Sequence, residues 1–123
     1  EMARLGAKVV ISSRKADACE QVANELKSQG YEAMAIPCHV GKKDDLQNLV
    51  NKTNEAWGTI DVLVCNAATN PVYGPPSEMT NEAWDKIMDT NVDGAWIVAQ
   101  ETADGRERRG RRCDAVQHRR NSW

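Results

Sequence analysis

The sequence predicts an α/β fold in which helices cover both faces of a parallel sheet, the arrangement of a doubly wound sheet. Three short runs of apolar or β-branched residues are separated by stretches with helical periodicity. Their hydrophobicity is continuous rather than alternating, which is typical of strands buried on both faces. The runs are 8–13 (KVVISS), 33–38 (AMAIPC) and 60–65 (IDVLVC). We therefore expect strands and helices to alternate along the chain, joined by short links.

Two helices are expected between these strands. The first ends at Gly30, because glycine readily adopts the conformation that stops a helix. Its apolar face carries Cys19, Val22, Ala23 and Leu26. The second has Asp44 and Asp45 in its first turn, where carboxylates favour the positive end of the helix dipole, and it ends at Gly58. Its apolar face carries Leu46, Leu49, Val50, Thr53 and Trp57.

A third helix is expected over about 80–99, with Thr80 as its N-cap. Asn91 interrupts the apolar face of this helix. A buried amide without partners costs about 1–3 kcal/mol, so we expect Asn91 to be hydrogen-bonded, for a structural or a functional reason. The residues expected to point inward are Trp84, Ile87, Met88, Val92, Ala95, Trp96 and Ala99.

The composition excludes several classes of protein. A chain of 123 residues makes one domain, and none of its apolar runs is long enough to span a membrane. Cys19, Cys38, Cys65 and Cys113 are widely spaced without a C-x-x-C pair, which favours reduced thiols in a cytoplasmic protein over disulfides. Four ligands at a recognisable spacing are also missing, so no metal site is expected.

The last part of the chain differs in kind from the rest. Residues 1–100 contain seven Lys and two Arg, whereas 101–123 contain no Lys and seven Arg and have no sustained apolar periodicity. One explanation is an arginine-rich arm that binds nucleic acid or an acidic partner. The other is an aberrant or disordered tail, such as a reading-frame slip would produce. We favour the second, because a binding arm usually carries a helical basic face or interleaved aromatic residues, and we therefore expect no nucleic-acid partner.

Hydrogen-bond donors follow the first strand. Ser12, Ser13, Arg14 and Lys15 stand where that strand meets the N-terminus of a helix, and no acidic residue ends the strand. In dinucleotide-binding folds an acidic residue near this point binds the ribose 2′-hydroxyl, whereas an arginine accommodates a 2′-phosphate. Position alone does not separate a phosphate contact at Arg14 from an ordinary solvent-facing arginine.

Small residues end the third strand. Asn66, Ala67 and Ala68 follow the apolar run directly. Side chains this small leave the backbone open to the close approach of another group.

These segments together resemble the short-chain dehydrogenase/reductase family, and in particular its NADP(H)-dependent carbonyl and retinal reductases. The similarity covers about 1–100, in unbroken order. The motifs that carry it are SSRK at 12–15, CHVG at 38–41, IDVLVCNAA at 60–68 and WDKIMDTNV at 84–92.

The resemblance implies an NADP(H)-binding Rossmann domain over 1–100. It makes Ser13 and Arg14 contacts of the cofactor's 2′-phosphate region and places His39 and Val40 near the adenine. It implies that Asn66, Ala67 and Ala68 lie along the adenosine ribose. Asn91 becomes the asparagine of the catalytic tetrad, which orders a water beside the active-site lysine. His39 departs from the aspartate that is commonest at its position in the family.

The resemblance also implies that the chain is partial. In the family's strand order 3-2-1-4-5-6, the three runs correspond to strands 2, 3 and 4, and the central strand 1 is absent. The glycine-rich T-G-x-x-x-G-x-G loop is missing. The catalytic Y-x-x-x-K is missing as well, since neither of the two tyrosines, Tyr31 and Tyr73, is followed by a lysine four residues later.

The expected function follows from this partial likeness. The full-length parent would be a homo-oligomeric oxidoreductase that transfers a hydride between NADP(H) and a small carbonyl or secondary alcohol. The chain itself is expected to be inactive alone. The alternative is a non-catalytic binding or assembly module with a nucleic-acid-contacting tail.

Overall fold

The computed structural model describes residues 1–107 and 114–116. Its strands are β1 (Val9–Ile11), β2 (Ala33–Ala35), β3 (Val62–Val64) and β4 (Asp114–Val116). Its α-helices are α1 (Ala16–Ser28), α2 (Lys43–Trp57), α3 (Asn81–Met88) and α4 (Gly94–Glu107). A π-helical turn, Asp89–Asp93, joins α3 to α4, and short 3₁₀ helices occupy Ala3–Leu5 and Pro76–Glu78. The expected α/β order of elements is confirmed.

The strands form two parallel pairs with a gap between them. β1 pairs with β2 in a register that sets Val9 opposite Ala33, and β3 pairs with β4 in a register that sets Val62 opposite Asp114. No ladder joins β1 to β3 among the described residues. The arrangement agrees with the predicted doubly wound sheet in which the central strand is missing.

The predicted helix ends are confirmed. Gly30 and Gly58 have φ angles of 85° and 82°, a region that side chains disfavour, and each follows the last turn of its helix. The hydroxyl of Thr80 accepts a hydrogen bond from the backbone N–H of Ala83 at 3.2 Å, as an N-cap does.

Two elements lie in the stretch that the sequence assigned to the tail. α4 continues to Glu107, beyond the expected end near residue 99, and β4 occupies Asp114–Val116. The tail boundary at residue 100 therefore falls inside a helix. Most of the arginine-rich segment, and Cys113 with it, lies outside the described residues.

The core lies where α2 packs against α4. Its buried members are Cys38, Leu46, Val50 and Val98, with Leu46 only 1% exposed. Val40, Ile60 and Cys65 are among the half-buried residues that pack against this cluster. The ends of β2 and β3 are thus attached to one apolar core.

Several predicted core positions are wrong. Trp84, Val92 and Trp96 are 54%, 47% and 63% exposed. Past the π-helical turn, the buried residues within 94–104 are Gly94, Val98 and Thr102. A π turn holds more residues than an α turn, so it rotates the later residues out of the phase that a single α-helix would give.

Two other burial predictions also fail. Val22 on α1 is 42% exposed, while Cys19 and Ala23 on the same helix are 1% exposed. β3 is not covered on both faces, since Val62 and Val64 are 49% and 46% exposed. These two valines line the gap between the strand pairs, and among the described residues β3 is paired with β4 alone.

Candidate functional site

The carboxyl ends of β1 and β2 are joined by backbone hydrogen bonds. The N–H of Ile36 donates to the carbonyl of Ile11 at 3.1 Å, and the N–H of Cys38 donates to the carbonyl of Ser13 at 3.0 Å. The pairing of these chains therefore continues past the strands themselves. It sets the loop after β1 beside the loop after β2, the edge of a parallel sheet where ligands bind.

The Ser13 hydroxyl shapes the loop after β1. It accepts a hydrogen bond from the N–H of Lys15 at 3.2 Å and lies 3.2 Å from the Sγ of Cys19. Because these contacts occupy the hydroxyl, Ser13 holds the turn into α1 in place. Ser13 therefore has a structural role in this turn, in addition to the cofactor contact that the sequence predicts for it.

Arg14 extends from this turn into solvent. Its side chain is exposed, and among the described residues it has no ion pair. α1 begins at Ala16, and Lys15 at its N-cap position supplies no side-chain hydrogen bond. A free guanidinium and an uncapped helix N-terminus therefore lie side by side, and both favour an anion.

His39 is held in the loop after β2 by two hydrogen bonds. Its backbone N–H donates to Oδ2 of Asp45 at 2.9 Å, and its ring Nδ1 accepts from the backbone N–H of Gly41 at 3.1 Å. These contacts tie the backbone of His39 to the start of α2 and its ring to Gly41. The half-buried ring is thus oriented by its own loop.

Val40 lies against the start of α4. A Cβ atom built on Gly94 would lie 2.5 Å from the carbonyl oxygen of Val40 and 3.2 Å from that of Asp89. Only a glycine allows this approach of helix to loop. Gly94 therefore determines how closely α4 approaches the loop that carries His39 and Val40.

Asn91 connects the π-helical turn between α3 and α4 to the loop after β3. Its Oδ1 accepts from the N–H of Thr69 at 2.8 Å, and its Nδ2 donates to the carbonyl of Thr69 at 2.9 Å. The expectation that this amide has partners is confirmed. Asn66, Ala67 and Ala68 are exposed at the start of the same loop.

Sequence reasoning missed three residues that build this site, namely Thr69, Gly94 and Asp45. Backbone atoms of Thr69 make its contacts, so its residue type gave no signal. Gly94 did give one, because a glycine within a helical pattern often marks a close approach. Asp45 was assigned to the helix dipole, whereas its carboxylate also accepts the hydrogen bond from His39.

Two thiols directly precede residues of the site, Cys38 before His39 and Cys65 before Asn66. Burial raises the pKa of the Cys38 thiol, the charge of Asp45 raises it further, and a hydrogen bond with Ser12 acts in the opposite direction. Burial also raises the pKa of Cys65. Both therefore remain protonated at neutral pH and act as apolar packing groups rather than nucleophiles.

Metal-binding clusters and membrane-spanning helices are both absent from the described part of the chain. Among the side chains that the structure describes, within 1–104, no group of three or more His, Cys, Asp and Glu is placed to hold a metal ion. None of the helices in the described part of the chain combines the length and the apolar character needed to cross a bilayer.

The chain matches known proteins in sequence and in fold. The family model described as short chain dehydrogenase matches residues 1–111, about ten residues beyond the similarity seen in the motifs. The rabbit (Oryctolagus cuniculus) protein named dehydrogenase/reductase SDR family member 4 is 39% identical over 109 residues. That alignment covers 89% of this chain and 42% of the rabbit protein, so the chain spans less than half the length of this relative.

Solved structures also resemble this chain in fold. A metagenomic short-chain oxidoreductase in complex with NADP is 25% identical, with a TM-score of 0.84 over 94% of this chain and 52% of that one. A gluconate 5-dehydrogenase from Burkholderia cenocepacia in complex with NADP and tartrate is also 25% identical, with a TM-score of 0.84. That alignment covers 94% of this chain and 45% of the dehydrogenase.

Proposed function

The chain belongs to the short-chain dehydrogenase family, and from this premise we propose that residues 1–100 are part of an NADP(H)-binding Rossmann domain. The complete protein would be an oxidoreductase that transfers a hydride between the nicotinamide and a small carbonyl or secondary alcohol. The nicotinamide supplies the hydride chemistry when it is bound. The residues of this chain bind and orient the adenosine half of the cofactor.

The observation that carries this proposal is the environment of Arg14. An exposed guanidinium without an ion pair in the described structure stands at the carboxyl end of β1, beside the uncapped N-terminus of α1. Arginine binds phosphate through paired, charge-assisted hydrogen bonds. An acidic residue that would prefer the 2′-hydroxyl of NAD does not follow β1. These features support NADP(H) over NAD(H), as do two similar structures that hold NADP.

We assign the other cofactor contacts to residues at the same edge of the sheet. We assign the adenine to His39 and Val40, in the loop that is tied to β1 through Cys38. The exposed backbone of 66–68 would accommodate the adenosine ribose, since its small side chains leave room for close approach. The oriented imidazole of His39 would present an edge or face to the base, in place of the family's aspartate.

Asn91 is proposed as the asparagine of the catalytic tetrad. Its two hydrogen bonds to Thr69 use one Nδ2 proton and one lone pair of Oδ1. An asparagine amide has a second proton and a second lone pair, which remain for a water. Its first task in this chain is to hold the loop that begins with 66–68.

Other properties of the complete protein are also proposals. The chain contains no Y-x-x-x-K, so we expect no turnover from these residues alone. The exposed apolar side chains of Trp84, Val92 and Trp96 support a homo-oligomer. A cytoplasmic location rests on the reduced state expected of the cysteines. We propose no nucleic-acid partner, and the arginine-rich segment that would bind one lies mostly outside the described residues.

Replacing Arg14 by Gln tests the cofactor assignment. Loss of a charge-assisted contact of about 1.5–3 kcal/mol should weaken NADPH binding about 10–100-fold. NADH lacks the 2′-phosphate, so its affinity should change little. Isothermal titration calorimetry of each variant with each cofactor gives both affinities.

Arg4→Gln is the matched control, because it removes the same charge from another exposed position, in the short helix before β1. The proposal predicts that this variant binds NADPH like the parent chain. It is contradicted if Arg14→Gln and Arg4→Gln weaken NADPH binding equally, or if the parent chain does not prefer NADPH to NADH.

A further inference from the structure

The loop after β2 enters α2 without a capping side chain at the N-cap position. We call residues 39–42 the 39–42 loop. Lys42 occupies the N-cap position of α2 with an extended backbone, and its side chain makes no capping hydrogen bond. A lysine ammonium is a donor only, so it cannot accept from the N–H groups that the first turn of a helix leaves free. The junction between loop and helix is therefore held by another group.

Asp45 supplies that group from the first turn of α2. In a capping box, the side chain three positions after the N-cap bonds the N–H of the N-cap residue itself. Here the N–H of Lys42 already donates to the carbonyl of His39 at 2.9 Å. The half-buried carboxylate of Asp45 reaches past Lys42, and its Oδ2 accepts from the backbone N–H of His39 at 2.9 Å, six residues earlier in the chain.

The bond to Asp45 differs from the other hydrogen bonds of His39. The carbonyl of His39 accepts from Lys42, and its ring Nδ1 accepts from the backbone N–H of Gly41 at 3.1 Å. Both of these bonds lie within the 39–42 loop and fix its internal shape. The bond to Asp45 instead ties the loop to α2. Its removal would leave the turn formed but would release that turn from the helix.

Two other contacts attach the same loop to its surroundings. The N–H of Cys38, just before the loop, donates to the carbonyl of Ser13 at 3.0 Å. The carbonyl oxygen of Val40 lies against the backbone of Gly94, where a Cβ would be 2.5 Å away. Backbone atoms make both contacts. Asp45 therefore provides the attachment that a substitution can remove while the backbone of the loop stays unchanged.

We propose that Asp45 is a positioning residue of the cofactor site. Its carboxylate holds the backbone of His39 and Val40 where the adenine is proposed to bind, and it thereby sets the affinity for NADPH. This role rests on the proposed function, and it adds to the favourable place of Asp45 at the positive end of the α2 dipole. Because a charge-assisted hydrogen bond fixes the loop beforehand, less ordering is needed when the cofactor binds.

Replacing Asp45 by Ala in the full chain tests this role. NADPH binding, measured by isothermal titration calorimetry, should weaken about tenfold, the usual worth of one charge-assisted hydrogen bond. Exchange of the His39 amide should accelerate in the same variant, because its acceptor is gone. Asp45→Asn should return the NADPH affinity to within about threefold of the parent, since an amide oxygen can accept the same bond.

Asp44→Ala is the matched control. Asp44 is exposed in the same first turn of α2 and carries the same charge, but it is not a partner in the hydrogen bonds of the 39–42 loop. This variant should match the parent in NADPH affinity and in exchange of the His39 amide. Equal weakening of NADPH binding by Asp44→Ala and Asp45→Ala would overturn the proposal, since loss of charge alone would then explain the effect.

The Asn variant separates the hydrogen bond from the charge. If Asp45→Asn binds NADPH as poorly as Asp45→Ala, the hydrogen bond is not the cause and the proposal is overturned. Faster exchange at His39 with unchanged NADPH affinity also overturns it, because Asp45 would then serve the fold alone. A parent chain that does not bind NADPH would contradict the proposed function as well, whereas equal binding by the parent and Asp45→Ala contradicts only the role of Asp45.

Discussion

Replacing Gly94 by Ala is expected to destabilise the chain, although helix propensity alone predicts the opposite. In the interior of a helix, Ala is favoured over Gly by about 1 kcal/mol. At this position, however, the new Cβ would lie 2.5 Å from the carbonyl oxygen of Val40, a distance that forces backbone to move. Overpacking of this kind costs about 1–3 kcal/mol and occasionally more. Because the obstacle is backbone rather than a flexible side chain, we expect the larger cost to dominate.

The expected result is a loss of about 2 kcal/mol in the free energy of unfolding, measured by urea denaturation followed by circular dichroism. Gly74→Ala is the matched control. Its Cβ would meet only the end of the Glu78 side chain, at 3.0 Å, and that side chain is free to turn away. A Gly94→Ala variant as stable as the parent would show that α4 does not lie against Val40.

Replacing Asn91 by Leu is expected to release the loop after β3. Leucine branches at Cγ as asparagine does but cannot bond the N–H and carbonyl of Thr69, both of which Asn91 now satisfies. Each half-buried group left without a partner costs about 1–3 kcal/mol, and solvent reaching Thr69 favours the lower part of that range. Exchange of the Thr69 amide should accelerate strongly, and NADPH binding should weaken because the loop that begins with 66–68 is no longer fixed.

Asn51→Leu is the control for this variant, since Asn51 is exposed on α2. It makes the same chemical change far from the loop and should leave both measurements unchanged. If the Thr69 amide exchanged at the same rate in the Asn91→Leu variant as in the parent, the proposed link between helix and loop would be wrong.

The sequence predicted the strands and their incomplete sheet because those features depend on local pattern. Continuous apolar runs marked β1, β2 and β3, and Gly30 and Gly58 marked helix ends through a backbone conformation that only glycine adopts easily. The gap between the strand pairs followed from the family's strand order. Each of these inferences needed only nearby residues or a known topology.

The exposure of Trp96 could not be predicted in this way. A single helical period was applied across 80–99, whereas the π turn at Asp89–Asp93 changes the phase between α3 and α4. β4 was missed because three residues within an arginine-rich stretch show no periodicity. It pairs with β3, a partner 52 residues away in the sequence, since Val62 lies opposite Asp114.

The sequence predicted which residues belong to the candidate site, but it did not predict the contacts that position them. Arg14 and the segment 66–68 were singled out because hydrogen-bond donors and small residues follow the strands, and the resemblance to the family assigned them to the cofactor. The contacts that position them use the backbone of Thr69, the missing side chain of Gly94 and the carboxylate of Asp45. Contacts of this kind depend on how distant segments pack, so no local pattern reveals them.

The central claim is that the carboxyl ends of β1, β2 and β3 form one NADP(H) site, and hydrogen exchange with bound cofactor tests it most directly. We predict that NADPH protects the amides of 12–15, 39–40 and 66–68 together, and that NADH protects 12–15 less. Protection confined to other segments, or equal protection of 12–15 by the two cofactors, would contradict the account.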